Sequence, residues 1–170
     1  MNHQSSIMIV YSQQLDFGPR RVFSKALKLA GIDPDQCQAL FFHTPSIAVD
    51  KIKNVKPNIV IAVGDDVYYE LTGNKPLEKW RGSLVQSSVI PNQKVIGVQA
   101  PEWIMRGQFQ AFWFMVNDLT RAKKHSAYPH MSLPVWSNII NPTAPQAVDF
   151  IRDIPDTEKW SFDIETRANH

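Results

Sequence analysis

Four short apolar runs, separated by segments with helical spacing, set the rhythm of this sequence. Residues 7–11 (IMIVY) and 59–63 (IVIAV) are continuous and largely β-branched, the pattern of strands buried on both faces rather than of strands with one wet side. Residues 39–42 and 95–98 are shorter runs that also read as strands. After the first run, Val22, Phe23, Ala26, Leu27 and Ala30 follow helical spacing, Pro19 can open that helix, and Gly31 stands where a C-terminal cap belongs. Ser46 is placed to cap a helix running to about Asn54. Gly64 releases the third strand into a helix over 66–71 that Gly73 closes. Pro101 then predicts one long helix to about Lys124. Its buried positions would be Trp103, Met105, Phe109, Phe112, Trp113 and Val116, and Arg121, Lys123 and Lys124 would complement its C-terminal dipole. Strands alternating with helices predict an α/β fold, a three-layer sandwich around a mostly parallel central sheet.

After His125 the texture changes. Five of the 12 prolines (Pro129, Pro134, Pro142, Pro145, Pro155) fall there, and residues 126–144 read as a Pro-rich linker between a first domain over 1–125 and a second segment over 145–170. Pro145 opens a short amphipathic helix with Ala147, Val148 and Ile151 on its apolar side, and WSFDIET (160–166) alternates as a strand does. A second domain is expected to begin and be cut off.

Composition narrows the class. With 170 residues and 44% hydrophobic content the chain can build an ordinary packed core, and no apolar run approaches the roughly 20 residues of a membrane-spanning helix. The opening MNHQSSIMIVYS lacks a basic n-region and a long apolar core, so a cytosolic protein without membrane association is expected. The single cysteine, Cys37, excludes an internal disulfide and a four-thiolate metal or iron–sulfur site and reads as a small buried hydrophobe. His3, His43, His125, His130 and His170 have no metal-ligand spacing. The net charge of +2 conceals an asymmetry, because residues 1–125 carry 15 Lys or Arg against 10 Asp or Glu, and the remainder 3 against 6. A mildly basic first domain tolerates a polyanion without requiring one.

Two stretches carry chemistry. In the strand WSFDIET, Asp163 and Glu165 are two residues apart and share a face, while Trp160, Phe162 and Ile164 can pack on the other. Paired carboxylates suit two divalent cations about 3.5 to 4 Å apart that activate water for phosphodiester hydrolysis. With the helix and Trp before it, this stretch resembles the opening of the proofreading 3′-5′ exonuclease domain of family A DNA polymerases. That resemblance implies that Asp163 and Glu165 bind Mg2+ in a complete exonuclease domain. The later exonuclease motifs do not follow, so the 170 residues are expected to need no cofactor and to have no exonuclease activity.

The second resemblance is distributed along the first domain. The first strand, the helix ending in AGI (30–32), the strand exit PNIVIAVG (57–64), the helix ending LTG (71–73), WRG (80–82), the strand 95–98 and APEWIMR (100–106) come in an order similar to that of the uracil-DNA glycosylase superfamily. This implies a glycosylase-like α/β domain, of the kind that some phage-type polymerases carry ahead of the exonuclease. It also implies a DNA-facing edge at the carboxyl ends of the strands. The residues carried over to that edge are Trp80, Arg81, Gly82, Trp103 and Arg106, with the tryptophans suited to stacking on an unpaired base.

Departures from the family pattern bear on catalysis. Ala100 stands where the family's His stabilises the leaving base, and Glu102 replaces its Ser. The loop after the first strand offers only Asp16 as a carboxylate, out of the family's register, and Phe42, His43 and Thr44 occupy the place of the base-reading Asn. Losing one oxyanion donor costs about 10²- to 10³-fold in rate. The sequence is therefore read as the N-terminal part of a phage-type family A DNA polymerase, in a bacterial host's cytoplasm if phage-encoded. Its first domain would be non-catalytic, binding single-stranded or template DNA or replication proteins. The alternatives are a divergent glycosylase using Asp16 as a relocated acid and a module that binds only proteins.

Overall fold

The computed structural model describes residues 6–42, 44–131 and 143–153. The chain forms two compact units, Met1–Ser132 and Leu133–His170. The first is an α/β unit with a five-stranded sheet in the order β2-β1-β3-β5-β4, built from β1 (Ile7–Tyr11), β2 (Gln38–Phe41), β3 (Ile59–Val63), β4 (Leu84–Gln86) and β5 (Lys94–Val98). All pairings are parallel except the short edge strand β4, which runs antiparallel to β5.

The unbroken apolar runs are explained by burial from both sides. Ile7 and Ile9 of β1, Ile59, Ile61 and Val63 of β3, and Ile96 and Val98 of β5 face one helical layer. It consists of α1 (Phe17–Leu29), α5 (Glu102–Met105) and α6 (Gln110–His125). The alternate residues Met8, Val10, Val60, Ala62 and Val95 face the other layer. That layer contains α2 (Pro45–Val55), α3 (Asp65–Thr72) and α4 (Leu77–Trp80). At Gly97 an added Cβ would collide with Leu77 and the Tyr68 ring, so glycine there lets α3 and α4 sit directly on β5. No helix among the described residues is long and apolar enough to cross a membrane.

Several elements differ from their sequence expectations. The first helix starts at Phe17, two residues before Pro19, and the second is preceded by Thr44 rather than capped by Ser46. The helix expected from Pro101 to Lys124 is two helices. Gly107 has φ +95°, outside the helical region, and Gly107 N and Gln108 N donate back to Ile104 O and Trp103 O, which closes α5 before α6 begins. The break resets the helical phase. The buried positions become Ile104, Met115, Val116, Leu119 and Ala122, whereas Trp103, Met105, Phe109 and Trp113 are exposed and Phe112 is half-buried. Cys37 is half-buried, its Sγ donating to Asp33 O at 3.4 Å, and burial pushes its thiol up to about 11. The helix α4 and strand β4 were not anticipated, since four and three residues carry too little periodicity to stand out.

The first unit does not end at His125. Lys94 is fully buried, and its ammonium donates to His125 O at 2.6 Å, to Tyr128 O, and to His130 O at 3.3 Å. Asn58 Nδ2 donates to Ser126 O at 2.8 Å. Residues 126–131 are thereby fastened to the starts of β3 and β5, inside the stretch expected to be linker. In the second unit, α7 (Ala144–Arg152) carries a capping box between Thr143 and Gln146, with Pro145 in its first turn. The expected strand 160–166, including Asp163 and Glu165, lies outside the described residues, as do His3, His43 and His170.

Two predictions follow from the Lys94 arrangement. A chain of residues 1–132 should melt cooperatively, and ending it at His125 removes two of three acceptors from a buried ammonium. Hydrogen bonds to charged groups contribute about 1.5 to 3 kcal/mol each, so the shorter chain should lose on the order of 3 kcal/mol. Urea melts would measure this, and Lys94→Met should recover part of the loss in the short chain only. The second concerns His125, which burial, followed by Lys94, Lys124 and Arg121, holds below its ordinary 6.5. The unfolded chain then binds a proton that the folded chain refuses, so stability should fall as pH drops below about 6.5. His125→Gln should flatten that part of the profile in melts from pH 7 to 5.

Candidate functional site

β3 hands the chain to α3 in one layer and β5 hands it to α5 in the other, so the two exits diverge at the carboxyl edge of the sheet. Ligands of open α/β sheets bind where neighbouring connections separate in this way. A cleft of about 1120 Å³ lies there, with Asp65 from the start of α3, Glu78 and Arg81 from α4 and its cap, and Gln99 and Trp103 from the exit of β5. Phe109 and Phe114 contribute from the start of α6. Three aromatic rings and three amides (Gln99, Gln108, Gln110) thus share a cleft with two carboxylates.

Of the residues singled out from sequence, the cleft brings Arg81 and Trp103 together; Trp80, Gly82, Arg106 and Asp16 do not line it. Trp80 is 38% exposed and Trp103 41%, so neither is an ordinary core tryptophan. Arg106 is exposed at the C-terminal cap of α5. Asp16 is exposed and precedes the first residue of α1 without capping it through its side chain. Glu102 has Oε2 shielded from solvent with no hydrogen-bond partner among the described residues.

Arg81 and Gly82 have a structural task. Arg81 Nη1 lies 3.2 Å from Asp118 Oδ2, and its guanidinium stacks over the Phe114 ring at 4.3 Å. Burial pushes the Asp118 carboxyl up, while Arg81 and then Arg121 draw it back down. Gly82 has φ +70°, and an added Cβ would collide with Asp118 Oδ1. Its N–H donates to Gly97 O at 3.0 Å, and its carbonyl accepts from Arg121 Nη1 at 3.2 Å. The Arg-Gly pair therefore locks α4 and β4 to β5 and α6. Its cation is already paired with a carboxylate 7% exposed.

Among the described residues no three His, Cys, Asp or Glu side chains are grouped to hold a metal ion. The expected Mg2+ ligands, Asp163 and Glu165, fall outside them. Sequence reading missed Phe109 and Phe114 as cleft residues because an uninterrupted helix assigned Phe109 to the core. The signal was Gly107, a helix breaker inside the run. Compared with known protein families and with curated proteins, the sequence matches none.

The Arg81–Asp118 pair yields a test that separates structure from binding. Arg81→Ala leaves a carboxylate buried without its partner and should cost about 1 to 3 kcal/mol. Arg81→Ala with Asp118→Asn should cost less than Arg81→Ala alone in urea melts, because no charge is then stranded. Equal losses would mean that removing Arg81 strands no charge at Asp118.

Proposed function

We propose that this chain is the N-terminal part of a phage-type family A DNA polymerase, in which a glycosylase-like unit holds single-stranded or template DNA without excising a base. The observation that carries the reading is the set of exposed aromatics, Trp103, Phe109 and Phe114, lining a cleft at the carboxyl edge of the sheet with Arg106 exposed beside it. Base stacking on such side chains is tolerant of sequence and needs an unpaired base. Asp65 and Glu78 in the same cleft repel phosphate and accept hydrogen bonds from base amino groups. The cleft's chemistry thus favours the base over the backbone.

The order of motifs along residues 6–124 supports the glycosylase-like fold, and Ala100 supports the absence of catalysis, since a methyl group cannot donate to a leaving uracil anion. The exonuclease-like start WSFDIET supports the polymerase context.

Fluorescence anisotropy with a labelled oligonucleotide tests the reading. Single strands should bind more tightly than duplex. Trp103→Ala and Phe109→Ala should each weaken binding at least about fivefold, since a stacked base is worth about 1 to 3 kcal/mol. Arg106→Gln should weaken all sequences alike. Incubation with a uracil-containing strand followed by alkali should give no cleavage. Cleavage that disappears in Asp16→Ala would replace this reading with the relocated-acid glycosylase. No affinity for DNA even at low salt would leave a protein-docking module.

A further inference from the structure

The cleft at the carboxyl edge is lined by Asp65 and Glu78, and its one cation, Arg81, is paired with Asp118. A strand whose base enters that cleft must therefore lay its phosphates elsewhere. The exposed face of α1 supplies what the cleft lacks. Its thirteen residues include Arg20, Arg21, Lys25 and Lys28 and no acid. Among the described residues none of the four is in an ion pair. They line a groove of about 600 Å³ together with Phe17, Ser24 and Leu29. From Arg20 to Lys28 they cover about 12 Å of helix. Acids occur only beyond its ends, Asp16 before the first turn and Asp33 and Asp35 after the last.

Aromatic rings accompany this basic strip. Lys25 Nζ sits 5.7 Å from the centre of the Phe112 ring, and Trp113 packs edge-on against Phe112 at 5.5 Å while remaining 62% exposed. Phe17, at the end of α1 nearest the cleft edge, is 82% exposed. A basic groove with aromatic rings beside it is how proteins track a single-stranded backbone while its bases stack. An anionic membrane is a poorer fit, because the apolar stripe of α1 (Phe23, Ala26, Leu27) is spent in the core and only Phe17 and Leu29 are left exposed to enter lipid.

We infer that the outer face of α1, with Phe112 and Trp113 of α6 beside it, is a phosphate track along which single-stranded nucleic acid runs away from the cleft. The inference rests on the nucleic-acid reading for its ligand but uses different residues.

The test uses the full chain, a labelled single-stranded oligothymidylate and a salt series. Arg21→Gln/Lys25→Gln/Lys28→Gln should weaken binding more than about tenfold at low salt. It should also flatten the salt dependence by about two units of log–log slope, at about 0.7 per phosphate contact. Trp113→Ala should weaken binding several-fold and leave the slope unchanged. Lys51→Gln/Lys53→Gln removes exposed charge from α2 in the opposite layer and should change affinity less than about twofold. Thermal melts confirm that each variant is folded.

An equal loss per removed charge from the α2 and α1 variants would overturn the track in favour of net charge alone. Tighter binding to phosphatidylserine vesicles than to the oligonucleotide would overturn it in favour of a membrane surface. If the α1 variant keeps full affinity while Trp103→Ala loses it, the track falls and the cleft reading stands. If Trp103→Ala and Arg106→Gln are inert while the α1 variant fails, the cleft reading falls and the track stands.

Discussion

Burial of β1, β3 and β5 from both sides is the constraint on which the rest depends. Because successive side chains point to opposite faces, a strand such as Ile59–Val63, every residue of which is buried, demands a helical layer on each side. Two layers demand that the connections after neighbouring strands part company. The chain turns one way after β3 and the other way after β5, and the cleft is the gap that this divergence leaves. Elements that carry no strong pattern of their own are fixed from outside: α4 borders that gap through the close approach of Leu77 to Gly97 and the Arg81–Asp118 lock, and β4 pairs along the free edge of β5.

How far the sequence could be read follows from the same physics. β1, β3 and β5 were legible because double burial leaves an apolar run, whereas the edge strand β2, with one buried residue, was legible only as a short apolar stretch. Gly73 was legible as a helix stop because its left-handed φ of +73° favours a residue without a Cβ. The α5–α6 break was not. Trp103, Phe109 and Trp113 are strongly apolar, and apolar residues at helical spacing read as core whenever the helix is assumed continuous. One glycine at φ +95° turned that phase and moved these rings to the surface. Lys94 was illegible for the opposite reason. A lysine at the start of a strand reads as solvated, and nothing local reveals that three carbonyls some thirty residues later enclose it.

The candidate site shows a similar division. Residue type indicated Arg81 as a free cation, whereas Asp118, thirty-seven positions later, neutralises it. Trp103 was reachable from the order of motifs alone, whereas Arg106, named on the same ground, does not line the cleft. The basic character of α1 was visible in its composition, but that it stays on one uncovered face depends on which stripe the core claims.

The net charge of +2 describes the molecule poorly, because the two helical layers differ in sign. α1 carries four cations, while α3 across the sheet carries Asp65, Asp66 and Glu70 and no basic residue. Helices about 10 Å thick with a sheet between them keep these charges farther apart than the roughly 8 Å over which salt at physiological strength lets charges feel one another. Neither layer cancels the other at close range. A long polyanion would meet the molecule as an oriented dipole, drawing α1 inward and turning α3 outward before any specific contact forms.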